Sequence, residues 1–380
     1  MCKKVLINYQ DRWGSGPSYS IEWAKGLIQN GCEVYAVLSQ DVLNINEWKY
    51  YLGEKNIYFV QTHEKNNKYD LIKKTIRLYL FERKKIQDFF KDVDFDFSFH
   101  TFYCHWSNII DRFLNIKCIV SVCHDPVAHS GYKFYMQTLF KQNYKKSDII
   151  ITLTKSFIEK ICEEFSFSRN NVYYIPHGRM NMYNNISETM KKELNYSTQT
   201  VNFLFFGFIE HYKGLNVLAE AYAKLGEKYN NITLTIAGNG DFTSYKRKFA
   251  DLKNFTLINR YIEDNEVGAL FAGPNIVVVL PYINATQSGV IPIAYEYLTP
   301  IIASDTGGLK EQLDDGNIGL LFKNGNTNEL MERMEEFIKY PNKWVEQKEL
   351  MKTFRETLDW DILAKRLLEI IRDYKKGETK

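Results

Sequence analysis

The sequence predicts an α/β protein made of two successive doubly wound domains. Three observations carry this. The chain has 380 residues, about twice a common domain of ~100–200 residues. Short apolar runs alternate with longer amphipathic stretches through the first half, as in a parallel sheet with helices on both faces. The same alternation restarts after 180–200, a polar stretch rich in Asn, Ser, Thr and Lys.

The elements run in order along the chain. Residues 5–8 read as a buried strand, followed by a loop with Gly14 and Gly16 and a helix over 18–30. Gly31 closes that helix as a left-handed cap. Further strands are expected at 33–39, 96–101, 118–123 and 148–152, with one long helix over 69–91. The second half predicts strands at 201–207, 233–238, 255–258, 276–280 and 300–304. Between them lie helices at 214–229, 264–272 and 290–298, and an amphipathic helix over 360–374 closes the chain. The expected boundaries are a first domain over 1–185, a linker over 186–200, a second domain over 201–355, and a C-terminal helix over 356–380 returning to the first domain. Two such domains predict a ligand in the cleft between them, near the carboxyl ends of the strands.

Composition removes several classes. Apolar residues make 45% and charged residues 25%, which excludes a disordered, collagen-like or coiled-coil chain. Lys+Arg 49 against Asp+Glu 46 gives a net charge of +3, too small for a protein-wide field towards nucleic acid. No apolar run approaches the ~18 residues of a membrane span. Residues 1–8 lack the apolar segment of a signal peptide, so the expected compartment is the cytoplasm. The six cysteines are then reduced thiols. Cys118 and Cys123 beside His124 and His129 match no common zinc spacing. Asp92, Asp94 and Asp96 resemble an acidic metal motif but also suit the start of the strand at 96–101. No metal site is expected.

Several motifs fall where strands give way to helices. Gly14-Ser15-Gly16-Pro17-Ser18 lets the backbone approach a ligand at a helix N-terminus. Tyr19 stands where a dinucleotide fingerprint wants its third glycine, and an ordinary strand–helix turn is the alternative. In the second half, Gly207-Phe208-Ile209-Glu210-His211-Tyr212-Lys213-Gly214 holds the same place. A lysine beside a helix start suits a diphosphate; a solvated lysine is the alternative. Thr286, Gln287 and Ser288, then Gly289 and Val290, suit sugar hydroxyls and phosphate oxygens, or Ser288 serves only as an N-cap. Glu296 can accept the two hydroxyls of a ribose, or it lies on an exposed helix face. His124 ends a strand, with Asp125 placed to orient it, and can donate to a sugar hydroxyl; a core histidine is the alternative. The 69–91 helix carries Lys73, Arg77, Lys84 and Lys91 near one face, and Ile72, Ile76, Leu80, Ile86 and Phe90 as an apolar set. It suits an anionic membrane surface or plain solvent.

These residues together resemble the retaining glycosyltransferases of GT-B fold, of the "family four" type. The resemblance rests on 203–225, on Asp148–Thr154, on Ile175-Pro176-His177-Gly178, on Thr235-Ile236-Ala237-Gly238-Asn239-Gly240, and on 280–311 with Gly307-Gly308-Leu309-Lys310-Glu311. The run Ala285–Val290 is similar to a bacterial surface-polysaccharide branch. The resemblance implies two Rossmann-like domains facing across a cleft. The second would bind a UDP- or GDP-linked sugar as co-substrate and the first a lipid-linked oligosaccharide acceptor. It implies hexosyl transfer with retention, no required cofactor, and a place peripheral to the inner face of the plasma membrane. Lys213 would match the diphosphate-binding lysine, His124 the histidine near the sugar, and Gly16 the glycine loop shared by donor and acceptor. Gly207, Gly238, Thr286–Val290 and Glu296 would complete the donor site. Gly14, Ser15 and Asp125 would lie on the acceptor side.

The sequence departs from that pattern at two places. Phe208 stands where the family carries an arginine. Of its two glutamates eight apart, one register keeps only Glu296, opposite Ser288; the register set by Pro300 puts Ala285 and Ile293 there. Two rival readings remain. One is a nicotinamide oxidoreductase using the Gly14/Gly16 loop and Asp41. The other is a sugar-nucleotide-binding scaffold without turnover.

Overall fold

Residues that are apolar without interruption become interior strands, because a parallel sheet covered on both faces buries every side chain. In the computed structural model, which describes residues 3–12, 14–64, 67–126, 140–180, 186–194 and 196–378, such runs form two sheets. The first contains β1 (Lys4–Tyr9), β2 (Glu33–Ser39), β3 (Ile57–Val60), β4 (Phe97–His100), β5 (Ile119–Cys123), β6 (Ile149–Thr152) and β7 (Val172–Tyr174). Its order is β3-β2-β1-β4-β5-β6-β7 and its pairings are parallel. The second contains β8 (Val201–Phe206), β9 (Ile232–Ala237), β10 (Phe255–Ile258), β11 (Ile276–Leu280), β12 (Ile301–Ser304) and β13 (Leu320–Phe322). Its order is β10-β9-β8-β11-β12-β13, again parallel. Strand order reverses between β1 and β4, and between β8 and β11. Those switch points open a crevice at the strands' carboxyl ends.

The chain divides into two compact units, Met1–Pro176 with Trp360–Lys380, and His177–Asp359. In the first, the helix Gly16–Gln29 packs on the C-terminal helix Trp360–Glu378. Gly26 permits this, since a Cβ there would lie 2.3 Å from the Trp360 carbonyl oxygen. Trp23, Tyr19 and Trp360 form an edge-to-face aromatic core beside it. In the second unit, the core includes Met180 and Met190. The stretch expected as a linker therefore contributes structure: Glu188–Leu194 is helical, and the Ser187 N–H donates to the Asn265 carbonyl.

The single helix expected over 69–91 is two α-helices, Lys68–Arg77 and Arg83–Phe89, joined by a π-turn over Leu78–Glu82. A π-turn takes in one extra residue, which rotates the second helix by about 100° relative to the first. The expected apolar set therefore splits. Ile86 and Phe90 enter the core, while Ile72, Ile76 and Leu80 stand in solvent. The helix expected over 290–298 ends at Glu296. Leu298 turns left-handed at φ 51°, and the Thr299 N–H donates back to the Ala294 carbonyl.

Candidate functional site

Of the residues singled out for donor binding, Gly207, Lys213, Gly238 and Thr286–Val290 lie on the loops around the β8/β11 switch point, whereas Gly16 lies in the first unit and Glu296 at the far end of the helix Val290–Glu296. After β8, the chain crosses Gly207 at φ 130° and makes a turn over His211–Lys213. Gly214, at φ 70°, then opens the helix Leu215–Gly226. Only glycine fits there, because a Cβ would lie 1.8 Å from the Pro281 carbonyl oxygen. The Ile283 N–H donates to the Tyr212 carbonyl at 2.7 Å, so the loops after β8 and β11 are bonded to each other. Gly238 does the same on the β9 side: its Cβ would lie 1.9 Å from the Gly207 carbonyl oxygen.

This closure places Lys213. Its Nζ stands 3.7 Å from the Tyr282 ring centroid and 5.0 Å from that of Tyr212. An ammonium held over an aromatic face keeps its charge with only partial hydration. It is thereby presented at the start of a helix, where backbone N–H groups lack partners within the helix.

The loop after β11 is rigid for a different reason. Ser288 is buried. Its N–H donates to Gln312 Oε1 at 2.7 Å, and its carbonyl accepts from Gln312 Nε2 at 3.0 Å. Its Oγ accepts from the Val290 N–H at 3.3 Å. Ser288 and Val290 thus use these groups to fix the start of the helix Val290–Glu296. Thr286 and Gln287 are half-buried and Gly289 is exposed, so these three are the accessible residues of the run. Gly307 completes the fit, since its Cβ would meet the Ala285 carbonyl at 1.7 Å. Gln312 was not anticipated; a side-chain clamp 24 positions away leaves no local signal.

Glu296 lies on neither an exposed face nor an open site. Its carboxylate takes two bonds from Arg179, at 3.0 Å each, and Arg179 also reaches Asp359 at 2.7 Å. Arg355 Nη1 donates to the Glu296 carbonyl at 2.8 Å. The side chains of Arg179 and Glu296 are 21% and 12% exposed. Arg179 follows His177, whose Nδ1 bonds the Gly178 carbonyl at 2.7 Å and whose basicity is lowered by burial.

The first unit brings its candidates to the β1/β4 switch point. Gly14 turns at φ 76°. Gly16 opens the helix with Ser15 before it, and its Cβ would lie 2.3 Å from the Tyr9 hydroxyl. Gly16 is therefore required by Tyr9 beneath it, whatever the loop binds. His124 lies flat on Phe102, with centroids 3.8 Å apart and planes 17° apart, and meets the edge of Tyr19 at 5.0 Å. Its Nε2 bonds the Thr101 carbonyl at 2.9 Å, which fixes the ring. Asp125 is half-buried beside it in sequence. Of the weaker candidates, His129 lies outside the described residues. Asp96 caps the start of β1, its Oδ2 accepting from the Lys4 N–H at 2.8 Å.

Two features were not foreseen. A buried polar chain links β1, β4 and β5: Ser121 to His100 at 3.2 Å, His100 to Asp111 at 2.6 Å, and Asn8 to Asp111 at 2.7 Å. His100 is 1% exposed, so this serine–histidine–aspartate array is closed to solvent and ties β1, β4 and β5 together. In the loop after β4, His105 bonds the Tyr103 hydroxyl at 2.9 Å, and its ring lies 5.3 Å from that of His63. Burial lowers the pKa of His105 to about 4.

Two parallel sheets of this order, each with its glycine loop at the switch point, define a GT-B fold. The sequence model for "Glycosyl transferases group 1" matches residues 186–357, and that for "Glycosyltransferase Family 4" matches 17–179. The chain belongs to this glycosyltransferase family. It is 22% identical over 247 residues to a D-inositol 3-phosphate glycosyltransferase of Corynebacterium aurimucosum, across 61% of this chain and 58% of that one. It is 25% identical over 171 residues to an uncharacterized glycosyltransferase of Methanocaldococcus jannaschii, across 43% of each. The chain thus spans about half the length of these curated relatives. A glycosyltransferase structure from Rickettsia africae superposes with TM-score 0.73 at 15% identity, covering 99% of both chains. Anabaena HepE in complex with UDP superposes with TM-score 0.71 at 14% identity, covering 97% of this chain and 100% of that one.

Proposed function

We propose that this protein transfers a hexosyl-type sugar, with retention, from a nucleoside-diphosphate donor to a hydroxyl of a growing, lipid-linked surface polysaccharide. The observation that carries the donor half is the ammonium of Lys213 held over Tyr282 at the start of the helix Leu215–Gly226. The second unit takes the nucleotide sugar, UDP- or GDP-linked, and the first unit takes the acceptor beside Gly14–Gly16 and His124. HepE, the neighbour solved with UDP, supports testing the uridine series first.

In this reading the diphosphate lies against Lys213 and the helix start, where positive charge stabilises the leaving group. Thr286, Gln287 and Gly289 meet sugar hydroxyls and phosphate oxygens. The acceptor oxygen attacks the face the leaving group departs from. Its proton passes to the departing phosphate oxygen, so the C–O bond to the acceptor forms as the C–O bond to the diphosphate breaks. His124 donates its Nε2–H to the Thr101 carbonyl, so the neutral ring meets a sugar hydroxyl as an acceptor, through Nδ1. The pairing of Glu296 with Arg179 supports a structural part for that carboxylate and leaves ribose contacts to the loop after β11. No metal or organic cofactor takes part.

The first test is thermal shift against UDP, GDP, their glucose, galactose, N-acetylglucosamine, mannose and fucose conjugates, and NAD. Ligand at a hundred times its Kd adds about 2.7 kcal/mol. One nucleotide series stabilising, with one sugar best, supports the reading; a shift from NAD alone overturns it. With the donor known, Lys213→Ala is expected to lower turnover at least tenfold.

A further inference from the structure

The helix Val290–Glu296 has the loop after β11 at one end and the Glu296 carboxylate at the other. Val290–Tyr295 are all buried, so this short helix is gripped along its whole length. A second connection runs beside it. The side chain of Gln312 bonds both the N–H and the carbonyl of Ser288, and its own carbonyl accepts from the Tyr295 hydroxyl. Gln312 thus bridges the two ends of the helix. At the far end, the last carbonyls of a helix lack partners within it. Arg355 supplies one to the Glu296 carbonyl at 2.8 Å, a cation where the helix dipole favours it.

Arg179 holds the same end from a distant part of the chain. Its guanidinium makes two bonds to the Glu296 carboxylate, at 3.0 Å each, and one to Asp359 at 2.7 Å. Its backbone N–H donates to the Leu358 carbonyl at 3.2 Å. Only the planar fork of an arginine meets two acceptors in this way; a lysine is a single point charge. The place of these residues in the chain matters. The chain enters the second unit at His177 and leaves it after Asp359. Arg179 lies just inside the entry, and Asp359 is the last residue before the exit. One side chain therefore joins the entry, the exit and the far end of the helix whose near end carries Thr286, Gln287 and Gly289.

We propose that Arg179 is a positioning residue for the donor: through Glu296 and the helix Val290–Glu296 it fixes Thr286, Gln287 and Gly289, and it couples their order to that of the two segments by which the chain enters and leaves the unit. That role rests on the reading of the loop after β11 as donor-binding. Glu296 then serves the donor from a distance, as the handle by which Arg179 grips the helix. The coupling is reciprocal. Whatever stiffens the loop stiffens the entry and exit segments, and whatever opens the clamp loosens the loop. An ion pair with a structural part alone would lower Tm when broken and leave the loop as ordered as before.

The test is hydrogen exchange of the full chain, read by mass spectrometry. Without ligand, Arg179→Met and Glu296→Gln should each speed exchange of the amides over 284–292 by about tenfold. Glu296→Gln keeps the shape of the side chain, so it carries the test if Arg179→Met does not fold. Asn202→Ala is the control. Asn202 is fully buried, bonds the Pro274 carbonyl at 2.8 Å, and sits at the amino end of β8, away from the loops at the carboxyl ends. It should lower Tm and leave exchange over 284–292 unchanged. With the nucleotide sugar that raises Tm most in the panel above, exchange over 177–180 and 356–359 should slow in the wild type and not in Glu296→Gln. Unchanged exchange over 284–292 in both clamp variants overturns the proposal, as does an equal rise in Asn202→Ala. A protein that no nucleotide sugar stabilises fails the transferase reading instead, and the clamp is then judged on the ligand-free exchange.

Discussion

Gly214→Ala is the sharpest test of how the donor loop is built. The added Cβ would start 1.8 Å from the Pro281 carbonyl oxygen. Ordinary contact needs about 3.2 Å or more, so the loops after β8 and β11 must part by about 1.5 Å. That movement breaks the 2.7 Å bond from the Ile283 N–H to the Tyr212 carbonyl, costing about 1 kcal/mol. It also lifts Lys213 off Tyr282. Alanine at φ 70° costs about 1–2 kcal/mol more. The sum, about 2–3 kcal/mol, corresponds to a Tm lower by about 5–10 °C for a unit of this size. Donor affinity should fall at least tenfold by titration calorimetry. Gly226→Ala is the control: nothing lies within 4 Å of its Cβ, and alanine in a helix is neutral to stabilising. A Gly214→Ala protein with the wild-type Tm and wild-type UDP affinity would refute the reasoning, because the contact between the loops would then not shape the site.

Three further outcomes rest on particular contacts. His124→Phe keeps the ring stack on Phe102 but loses the bond to Thr101, so turnover should fall at least a hundredfold with nucleotide affinity unchanged. Glu296→Ala removes both bonds from Arg179 and should lower Tm by about 4–8 °C, reflecting about 2 kcal/mol. Arg179→Met should cost about as much, and the double variant no more than either, as measured by a denaturation cycle. Burial holds the pKa of His105 at about 4 against 6.5 unfolded. The unfolded chain then takes up the proton first as pH falls, so stability present above pH 6.5 is lost towards pH 4, by up to about 3 kcal/mol. His105→Asn should flatten the unfolding free energy over that window in urea titrations.

Much of the architecture was legible because a parallel sheet covered on both faces writes itself as continuous apolar runs. Val277, Val278 and Val279 are each fully buried in β11, and nothing but an interior strand suits such a run. The glycines at 207, 214 and 238 were legible for a related reason: a strand that must turn at once into a helix needs positive φ or close approach. The short strands β3, β7 and β13, of four, three and three residues, were not foreseen. At that length no periodicity can build up, and neighbouring strands decide that they pair.

The candidate site divides the same way. Sequence alone determined that Lys213 and Gly214 open a helix after a buried strand, and that Gly14 and Gly16 do so in the other unit, because these are local matters of chain direction and backbone freedom. Tertiary structure alone decided what each residue meets there. Glu296 is bonded to an arginine 117 positions away, Gly16 is small because Tyr9 lies under it, and Ser288 is held by Gln312. One extra residue in the π-turn set which half of an apolar stripe faces solvent. Contacts between distant parts of the chain leave no periodic trace, since each partner is free to sit wherever the fold returns it.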